Sequence, residues 1–318
     1  MSKDIRRKAG NLIRIGISAG LLIWLFSRFD LKGVFVYFED LQISIWGLAC
    51  LMSLVGQVLS SIRWWILSNT FSFPGRWSTY LGFYFVGMFF NLFLPTGIGG
   101  DLFKVHFLSR EKGRRFLAAF TVVGDRLFGL ISMLFMGAVA VKIWPDLLPE
   151  PFADFLYISA LIILAALLGL PFFQRAIRGI LPGVSRHLAG LLILWQRPQR
   201  LLSVLGLSFC LQALGMGAIA LLGAGIGIKL PLPFYFASIP LVGLVTLIPI
   251  SFNGIGVREG AFIYFFGLKG VGAEPALGLG LLFFSVQVAL SLLSGVPYAA
   301  GLHRRSIGDG GGKVPKVS

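Results

Sequence analysis

The chain has 318 residues, of which 56% are hydrophobic and only 13% are charged, and its mean hydropathy is +0.85. Soluble domains are typically about one quarter charged, so these values exclude a chain built mainly of soluble domains. The net charge of +15 lies in short basic runs between long apolar segments. That pattern is typical of the cytoplasmic loops of membrane proteins and does not indicate nucleic-acid binding.

Six apolar segments are predicted to cross a bilayer as helices, since a span needs about 20 mostly apolar residues. In chain order they are 12–27, 44–62, 116–141, 155–173, 201–225 and 276–300. The N-terminal segment resembles a signal anchor and we expect it to be retained, while the mixed stretch 31–43 is predicted to be an interfacial helix. The sequence therefore predicts an all-α, polytopic integral membrane protein. Residues 1–306 form its single transmembrane domain, and 307–318 form a disordered cytoplasmic tail.

Two further apolar regions, 77–103 and 232–268, are interrupted by Gly, Pro and polar residues. Basic residues flank the first region at both ends, and basic loops are cytoplasmic. The second region follows the span 201–225 and precedes 276–300, which has to bring the basic C-terminal end back to the cytoplasm. Each region must therefore enter and leave the membrane on one face. We predict two re-entrant hairpins, one from each side.

The distribution of basic residues predicts the orientation of the chain. They concentrate in the N-terminal run, in 104–115, in 174–200 and at the C-terminal end, so these parts are predicted to be cytoplasmic. The loop 142–154 contains three acidic residues against one lysine and is predicted to lie outside. Both termini then face the cytoplasm, and the protein lies in the cytoplasmic membrane.

The two interrupted regions contain similar Gly-rich motifs about half of the chain apart. Residues 91–101 read Asn-Leu-Phe-Leu-Pro-Thr-Gly-Ile-Gly-Gly-Asp, and residues 249–260 read Pro-Ile-Ser-Phe-Asn-Gly-Ile-Gly-Val-Arg-Glu-Gly. The halves 11–141 and 153–300 each have the order span, span, hairpin, span. Because three spans are an odd number, the second half would be inverted, as in many secondary transporters. The alternative is that these glycines only let helices pack closely.

The motifs also predict a binding site for an anion such as a phosphate. Glycine turns at membrane depth expose backbone N–H groups, and a helix that begins after such a turn attracts negative charge. The predicted substrate-binding residues come from the two motifs and from one acid–base pair in the span 116–141. They are Asn91, Pro95, Gly97, Gly99, Gly100, Asp101, Asp125, Arg126, Pro249, Ser251, Asn253, Gly254, Gly256, Arg258 and Glu259.

Five of these residues are ionisable and lie within or at the edge of apolar regions: Asp101, Asp125, Arg126, Arg258 and Glu259. A charge at the centre of a membrane helix costs about 2.5–3.5 kcal/mol on insertion scales, so we expect these groups to be paired. One interpretation is that the pairs only tie the two halves together. The other is that the arginines bind an anionic headgroup while the acids neutralise them between cycles or relay protons.

Several chemistries are not indicated by the sequence. His106, His187 and His303 lie in predicted cytoplasmic loops or at the end of a span and form no His-x-x-x-His or His-Glu-x-x-His pair. This argues against a di-iron oxygenase or an intramembrane zinc protease, so no metal, cofactor or catalytic residue is predicted. The sequence contains no nucleotide-binding P-loop, and Cys50 and Cys210 lie in apolar segments that suggest no disulfide framework.

At these motifs the sequence resembles the lysylphosphatidylglycerol synthase transmembrane region, a flippase-like family of membrane domains. The resemblance covers essentially the whole chain. It rests on Asn91, on Leu94-Pro95 through Asp101, on Asp125-Arg126, where Glu-Arg is the more common form, and on Pro249 through Glu259. It implies a lipid-translocating role, because in multidomain relatives this region moves an aminoacylated phospholipid that a separate soluble domain makes. Only a short tail follows residue 300, so we do not expect aminoacyl transfer by this chain.

We therefore predict a flippase or transporter for a lipid or lipid-linked precursor, with an anionic or modified phospholipid headgroup. The alternative is an accessory subunit or an enzyme of envelope-lipid biosynthesis that presents a lipid to a partner. A channel is less favoured, because the sequence shows no ring of pore-lining charges. The predicted partners are membrane lipids and a separate lipid-modifying enzyme.

Single cysteines at Asp146, Asp309 and Gly113, in a chain whose Cys50 and Cys210 are replaced by alanine, test the predicted topology. An impermeant maleimide added to intact cells should label Asp146→Cys, because that loop is predicted to lie outside. It should label Asp309→Cys and Gly113→Cys only after lysis. Labelling of Asp309→Cys in intact cells would contradict the inverted arrangement of the two halves.

Overall fold

The computed structural model describes residues 36–39, 41–73, 75–93, 99–109, 114–180, 194–248 and 250–296. The predicted span 12–27, the predicted tail 307–318 and the predicted site residues Pro95, Gly97 and Pro249 lie outside these residues. Every regular element in the described part of the chain is helical, which confirms the all-α class. The helices are α1 (Ile43–Thr70), α2 (Trp77–Phe93), α3 (Gly99–Leu108), α4 (Arg115–Ile143), α5 (Glu150–Ile180), α6 (Pro198–Gly225), α7 (Leu232–Leu247), α8 (Val257–Gly267) and α9 (Ala273–Leu293).

Four helices are long and apolar enough to cross a membrane, namely α1, α4, α6 and α9. They coincide with the predicted spans 44–62, 116–141, 201–225 and 276–300, so a multi-pass membrane protein is confirmed. Helix α5 covers the predicted span 155–173 and has 31 residues, about 46 Å at the helical rise. Its described surface includes exposed Phe155, Ile158 and Leu161. That α5 crosses the membrane stays a prediction. The described part of the predicted interfacial helix 31–43 contains one helical turn, at 36–39.

Each of the two interrupted regions folds into a pair of short helices. Helices α2 and α3 have 17 and 10 residues, and α7 and α8 have 16 and 11. At 1.5 Å per residue, each is shorter than the roughly 30 Å hydrocarbon core of a bilayer. Helix α2 packs against α3, and α7 packs against α8. These lengths agree with the predicted hairpins.

The centre of the bundle is an antiparallel pair formed by α1 and α6. Contacts between the two helices run along their whole length. They join Ile45 with Gly225, Met52 with Gly217, Gly56 with Leu211, Arg63 with Ser208 and Thr70 with Arg200. Three of these five pairs contain a glycine, and small residues let membrane helices approach closely.

The remaining helices surround this central pair. Helix α4 packs against α7, and α9 packs against α2, while α3 lies on α4 and α8 lies on α9. Two clusters of buried apolar side chains fill the interior. The smaller one, around α1 and α2, includes Trp64, Tyr80 and Phe83. The larger one, around α7 and α8, includes Phe234 and Phe266.

The first hairpin depends on a glycine at the start of α3. A methyl group at Gly100 would lie 1.9 Å from the carbonyl oxygen of Gly87 and 2.8 Å from Cγ of Asn91. The nearest obstacle is backbone and has no rotamer by which to move away. Glycine is therefore required here, because α2 and α3 approach so closely.

Gly100→Ala is expected to destabilise the protein by about 3 kcal/mol, the upper part of the usual range for overpacking, because α3 has to shift away from α2. Gly206→Ala is the matched control, since a methyl group at Gly206 meets nothing within 4 Å. That change should leave the stability unchanged or raise it slightly, as alanine favours helix. The midpoint of thermal unfolding in detergent measures both. Equal midpoints for the two variants would show that the hairpin does not need this close approach.

Candidate functional site

A buried ion pair joins the central helices to α4. The Nε atom of Arg63 on α1 lies 2.7 Å from Oδ1 of Asp125 on α4, and the two side chains are only 4% and 6% exposed. The Nη1 atom of Arg63 donates a second hydrogen bond, 2.9 Å long, to Oγ of Ser208 on α6. This single guanidinium therefore joins α1, α4 and α6, which are all long and apolar enough to cross a membrane.

A second set of ion pairs surrounds Asp101 at the start of α3. Its Oδ2 atom accepts a hydrogen bond from Nε of Arg126, and its Oδ1 atom lies 3.6 Å from Nζ of Lys104. The Asp101 and Lys104 side chains are each 7% exposed, whereas the Arg126 side chain is 46% exposed. One buried carboxylate thus forms ion pairs with two cations, and of these two only Arg126 reaches the protein surface.

The two sets of ion pairs are connected through polar and aromatic side chains of α1 and α2. The Nζ atom of Lys104 lies 3.5 Å from the ring centroid of Tyr84, a cation–π contact that favours the charged lysine. The Tyr84 hydroxyl lies 2.7 Å from Oγ of Ser60, and that oxygen also accepts a 3.4 Å hydrogen bond from Nη2 of Arg63. The connection is therefore continuous from Arg63 to Lys104.

We call this group of five charged residues the α4 charge cluster. It consists of Arg63, Asp101, Lys104, Asp125 and Arg126. Among the described residues, three cations face two carboxylates, so this described set has a formal charge of +1. The excess charge is flanked by apolar side chains of the smaller core cluster, including Trp64 and Phe107.

The N-terminus of α3 is capped by a side chain from the other arm of its hairpin. The backbone N–H of Gly100 donates to Oδ1 of Asn91 over 2.7 Å. Asn91 therefore satisfies one of the N–H groups that we predicted for an anion, and it fixes the end of α2 to the start of α3. Gly99, the first residue of α3, is buried beside it.

The second motif forms an irregular turn before α8. Asn253, Gly254 and Gly256 all have positive φ angles of 50°, 76° and 83°, which glycine and asparagine adopt at low cost. The Gly256 N–H donates to Oε2 of Glu259 over 2.6 Å, so α8 is also capped by a side chain of the protein. Ser251 is 5% exposed, and its hydroxyl has no hydrogen-bond partner within the described part of the chain.

Arg258 and Glu259 form a pair of their own next to α9. The Nε and Nη2 atoms of Arg258 donate to Oε1 of Glu259 over 3.0 and 2.7 Å. The guanidinium carbon lies 4.8 Å from the ring centroid of Phe284, and the Glu259 side chain is 1% exposed. This pair has no net charge, in contrast to the α4 charge cluster.

The structure thus brings together Asp101, Asp125 and Arg126 and joins Arg258 to Glu259. The close neighbours of Gly100 and Gly254 come from their own hairpins, namely Gly87 and Thr246 respectively. A binding role for the residues of either motif stays a prediction.

Sequence reasoning missed the residues that connect the cluster. Arg63 lies just beyond the predicted span 44–62 and is not among the predicted site residues, whereas α1 continues to Thr70. Lys104 was assigned to the basic run 104–115, although it lies in α3 and is buried. The signal in the sequence was the apolar Trp-Trp-Ile-Leu run directly after Arg63, which continues the hydrophobic span.

Asp125→Ala is expected to destabilise the protein by about 3–5 kcal/mol, because it leaves the buried Arg63 guanidinium without its carboxylate. The double variant Arg63→Met with Asp125→Leu should recover most of this loss, since apolar side chains often replace a buried ion pair without cost. Thermal unfolding in detergent compares the single and double variants. A double variant as unstable as Asp125→Ala would mean that the pair does not stabilise the bundle in this way.

Comparison with known families now adds to this geometry. The model of one family, the lysylphosphatidylglycerol synthase TM region, matches residues 11–295, which include every described helix. A search of curated proteins gives no significant match. Because the family match covers most of the chain, it agrees with the multi-pass helical structure and with a role in lipid metabolism or transport. The chain belongs to the family of the lysylphosphatidylglycerol synthase transmembrane region.

Proposed function

We propose that the protein moves lipids with an anionic headgroup between the two leaflets of the cytoplasmic membrane, and that the headgroup binds at the α4 charge cluster. The observation that carries this proposal is that, among the described residues, Arg63, Lys104 and Arg126 face only two carboxylates within the helical bundle. Charges within membrane segments are rare and commonly mark substrate pathways.

The excess charge favours an anionic ligand for an energetic reason. A buried cation without a counter-charge is costly, and each unpaired charge weakens the packed state. A phosphodiester would balance the positive charge that the described carboxylates leave, and it accepts hydrogen bonds from arginine in the geometry that a guanidinium prefers. Arg126 is the cation of the cluster with an exposed side chain, so it is the group that a headgroup meets first.

The packing of the helices supports an inverted repeat. When α1 to α4 are matched in order with α6 to α9, the first three pairs have similar lengths of 28, 17 and 10 against 28, 16 and 11 residues. The fourth pair is less alike, with 29 residues in α4 and 21 in α9. The helix contacts match as well, because α4 packs on α7 as α9 packs on α2. Exchanging the two halves replaces α1 by α6 and α6 by α1, so the central pair is unchanged. This pattern is what a two-fold axis in the membrane plane would produce.

Under this repeat the two motifs occupy opposite halves of the membrane. Arg126 lies 11 residues after the start of α4, about 16 Å along the helix. Gly280, which faces Glu259, lies 7 residues after the start of α9, about 10 Å along that helix. If α4 begins at the cytoplasmic face and α9 at the outer face, we propose that each motif contacts headgroups of the leaflet nearest to it. We propose that Arg258 contacts the headgroup in the outer half.

A translocation assay in proteoliposomes tests the proposal across headgroups. Fluorescent anionic and zwitterionic lipids are incorporated, and the fraction protected from an impermeant reductant is followed with and without a proton gradient. The protein should move the anionic lipid faster than protein-free vesicles do. Binding of the anionic lipid with no movement would instead favour the accessory role in lipid biosynthesis.

Arg258→Ala is expected to reduce translocation more than Arg258→Lys, because lysine keeps the charge but loses the planar, bidentate contact. Lys142→Ala, which removes an exposed charge at the end of α4, is the matched control and should translocate normally. Expression and insertion of all three variants are checked by size-exclusion chromatography. Full translocation by well-expressed Arg258→Ala would exclude a headgroup role for this arginine.

A further inference from the structure

We infer that an anionic phospholipid reaches the α4 charge cluster sideways from the bilayer, with its phosphate on Arg126 and its acyl chains along the outer surface of α3 and α4. The inference rests on the proposed function for the class of headgroup, and it adds the route and the surface. The leaflet concerned is the one at the N-terminal end of α4, which is cytoplasmic in the predicted orientation.

Arg126 opens onto an apolar surface of the protein. Val123, Arg126 and Leu127 share one face of α4, because residues three and four apart are neighbours on a helix. Val123 is 53% exposed and Leu127 is 47% exposed, and Leu102 of α3 is 62% exposed. In a membrane protein, exposed apolar side chains at this depth face acyl chains. We call the surface of Leu102, Val123 and Leu127 the α3–α4 lipid face.

The Arg126 side chain leaves α4 on the N-terminal side of the middle of the helix and extends toward the nearer leaflet. Side chains on a helix tilt toward its N-terminus, and long arginine side chains extend toward the membrane interface. Arg126 lies about 16 Å from the start of α4, a helix whose 29 residues span about 43 Å and therefore reach through the headgroup regions as well. The guanidinium thus extends toward the phosphates of the nearer leaflet while its backbone stays in the hydrocarbon region.

The sharing of Asp101 allows Arg126 to exchange partners without leaving a buried charge unpaired. Asp101 contacts Arg126 through Oδ2 and Lys104 through Oδ1. When a phosphate takes over Arg126, the carboxylate keeps the buried Lys104 as its partner. Among the described residues, the exchange brings the formal charge of the cluster from +1 to zero. A soluble anion would also neutralise the charge, but it would gain nothing from the α3–α4 lipid face.

Quenching by brominated lipids measures which lipid occupies this surface. Cys50 and Cys210 are replaced by alanine, and a fluorophore is attached to Val123→Cys or, as the matched control, to Ile158→Cys. Ile158 is 57% exposed on α5, at a distance in sequence from every charge of the cluster. Each labelled protein is reconstituted in two lipid mixtures. The first contains brominated phosphatidylglycerol and unbrominated phosphatidylcholine, and the second contains brominated phosphatidylcholine and unbrominated phosphatidylglycerol.

At Val123→Cys we expect phosphatidylglycerol to be preferred over phosphatidylcholine by about fivefold, the effect of one cationic side chain near the surface. The preference should fall close to one with Arg126→Gln and should persist with Arg126→Lys. At Ile158→Cys the two lipids should quench equally. Millimolar inorganic phosphate should not abolish the preference at Val123→Cys.

Three results would overturn the inference: equal quenching by both lipids at Val123→Cys, the same preference at Ile158→Cys, or loss of the preference on adding inorganic phosphate. The translocation assay on the same vesicles separates this inference from the proposed function. An Arg126-dependent preference without translocation supports the lipid surface and contradicts the proposed function. Translocation without any preference at Val123→Cys contradicts the lateral route and leaves the proposed function standing.

Discussion

The rest of the structure depends on one constraint, which is that charges within a membrane helix have to find partners inside the protein. Arg63 meets this constraint by pairing with Asp125 and Ser208, and it thereby fixes α1, α4 and α6 to one another. Asp101 meets it by pairing with two cations at once. Among the described residues the three cations exceed the two carboxylates, and the proposed binding of an anionic group at this site rests on that difference.

The hairpins make this arrangement possible because they bring short helices into the interior. Helix α3 can place Asp101 and Lys104 beside α4 only because Gly100 lets it approach α2 closely. The side chains of Asn91 and Glu259 cap α3 and α8, so a backbone N–H group at the start of each helix is already paired within the protein. The glycines therefore serve the packing of the helices, and the arginines carry the proposed recognition.

Hydropathy and charge were sufficient to predict the helical class and four helices, because length and composition decide whether a helix is long and apolar enough to cross a bilayer. They also identified the two interrupted regions, since glycine and proline stand out in an apolar segment. They could not assign Arg63 to a helix interior, because its burial depends on Asp125, far away in the sequence. The contacts of Lys104 with Tyr84 and of Asn91 with Gly100 could not be predicted for the same reason. Each joins two helices, and only the folded bundle determines how closely those helices approach.

Native mass spectrometry of the protein released from lipid nanodiscs tests the central claim most directly, that the excess charge of the α4 charge cluster holds an anionic lipid. From nanodiscs with equal amounts of anionic and zwitterionic phospholipid, the wild-type protein should retain one anionic lipid. Lys104→Met, which removes one of three cations while keeping an unbranched apolar side chain, should retain it several-fold less. Retention of both lipid classes equally, or undiminished anionic lipid on a well-folded Lys104→Met protein, would contradict the account.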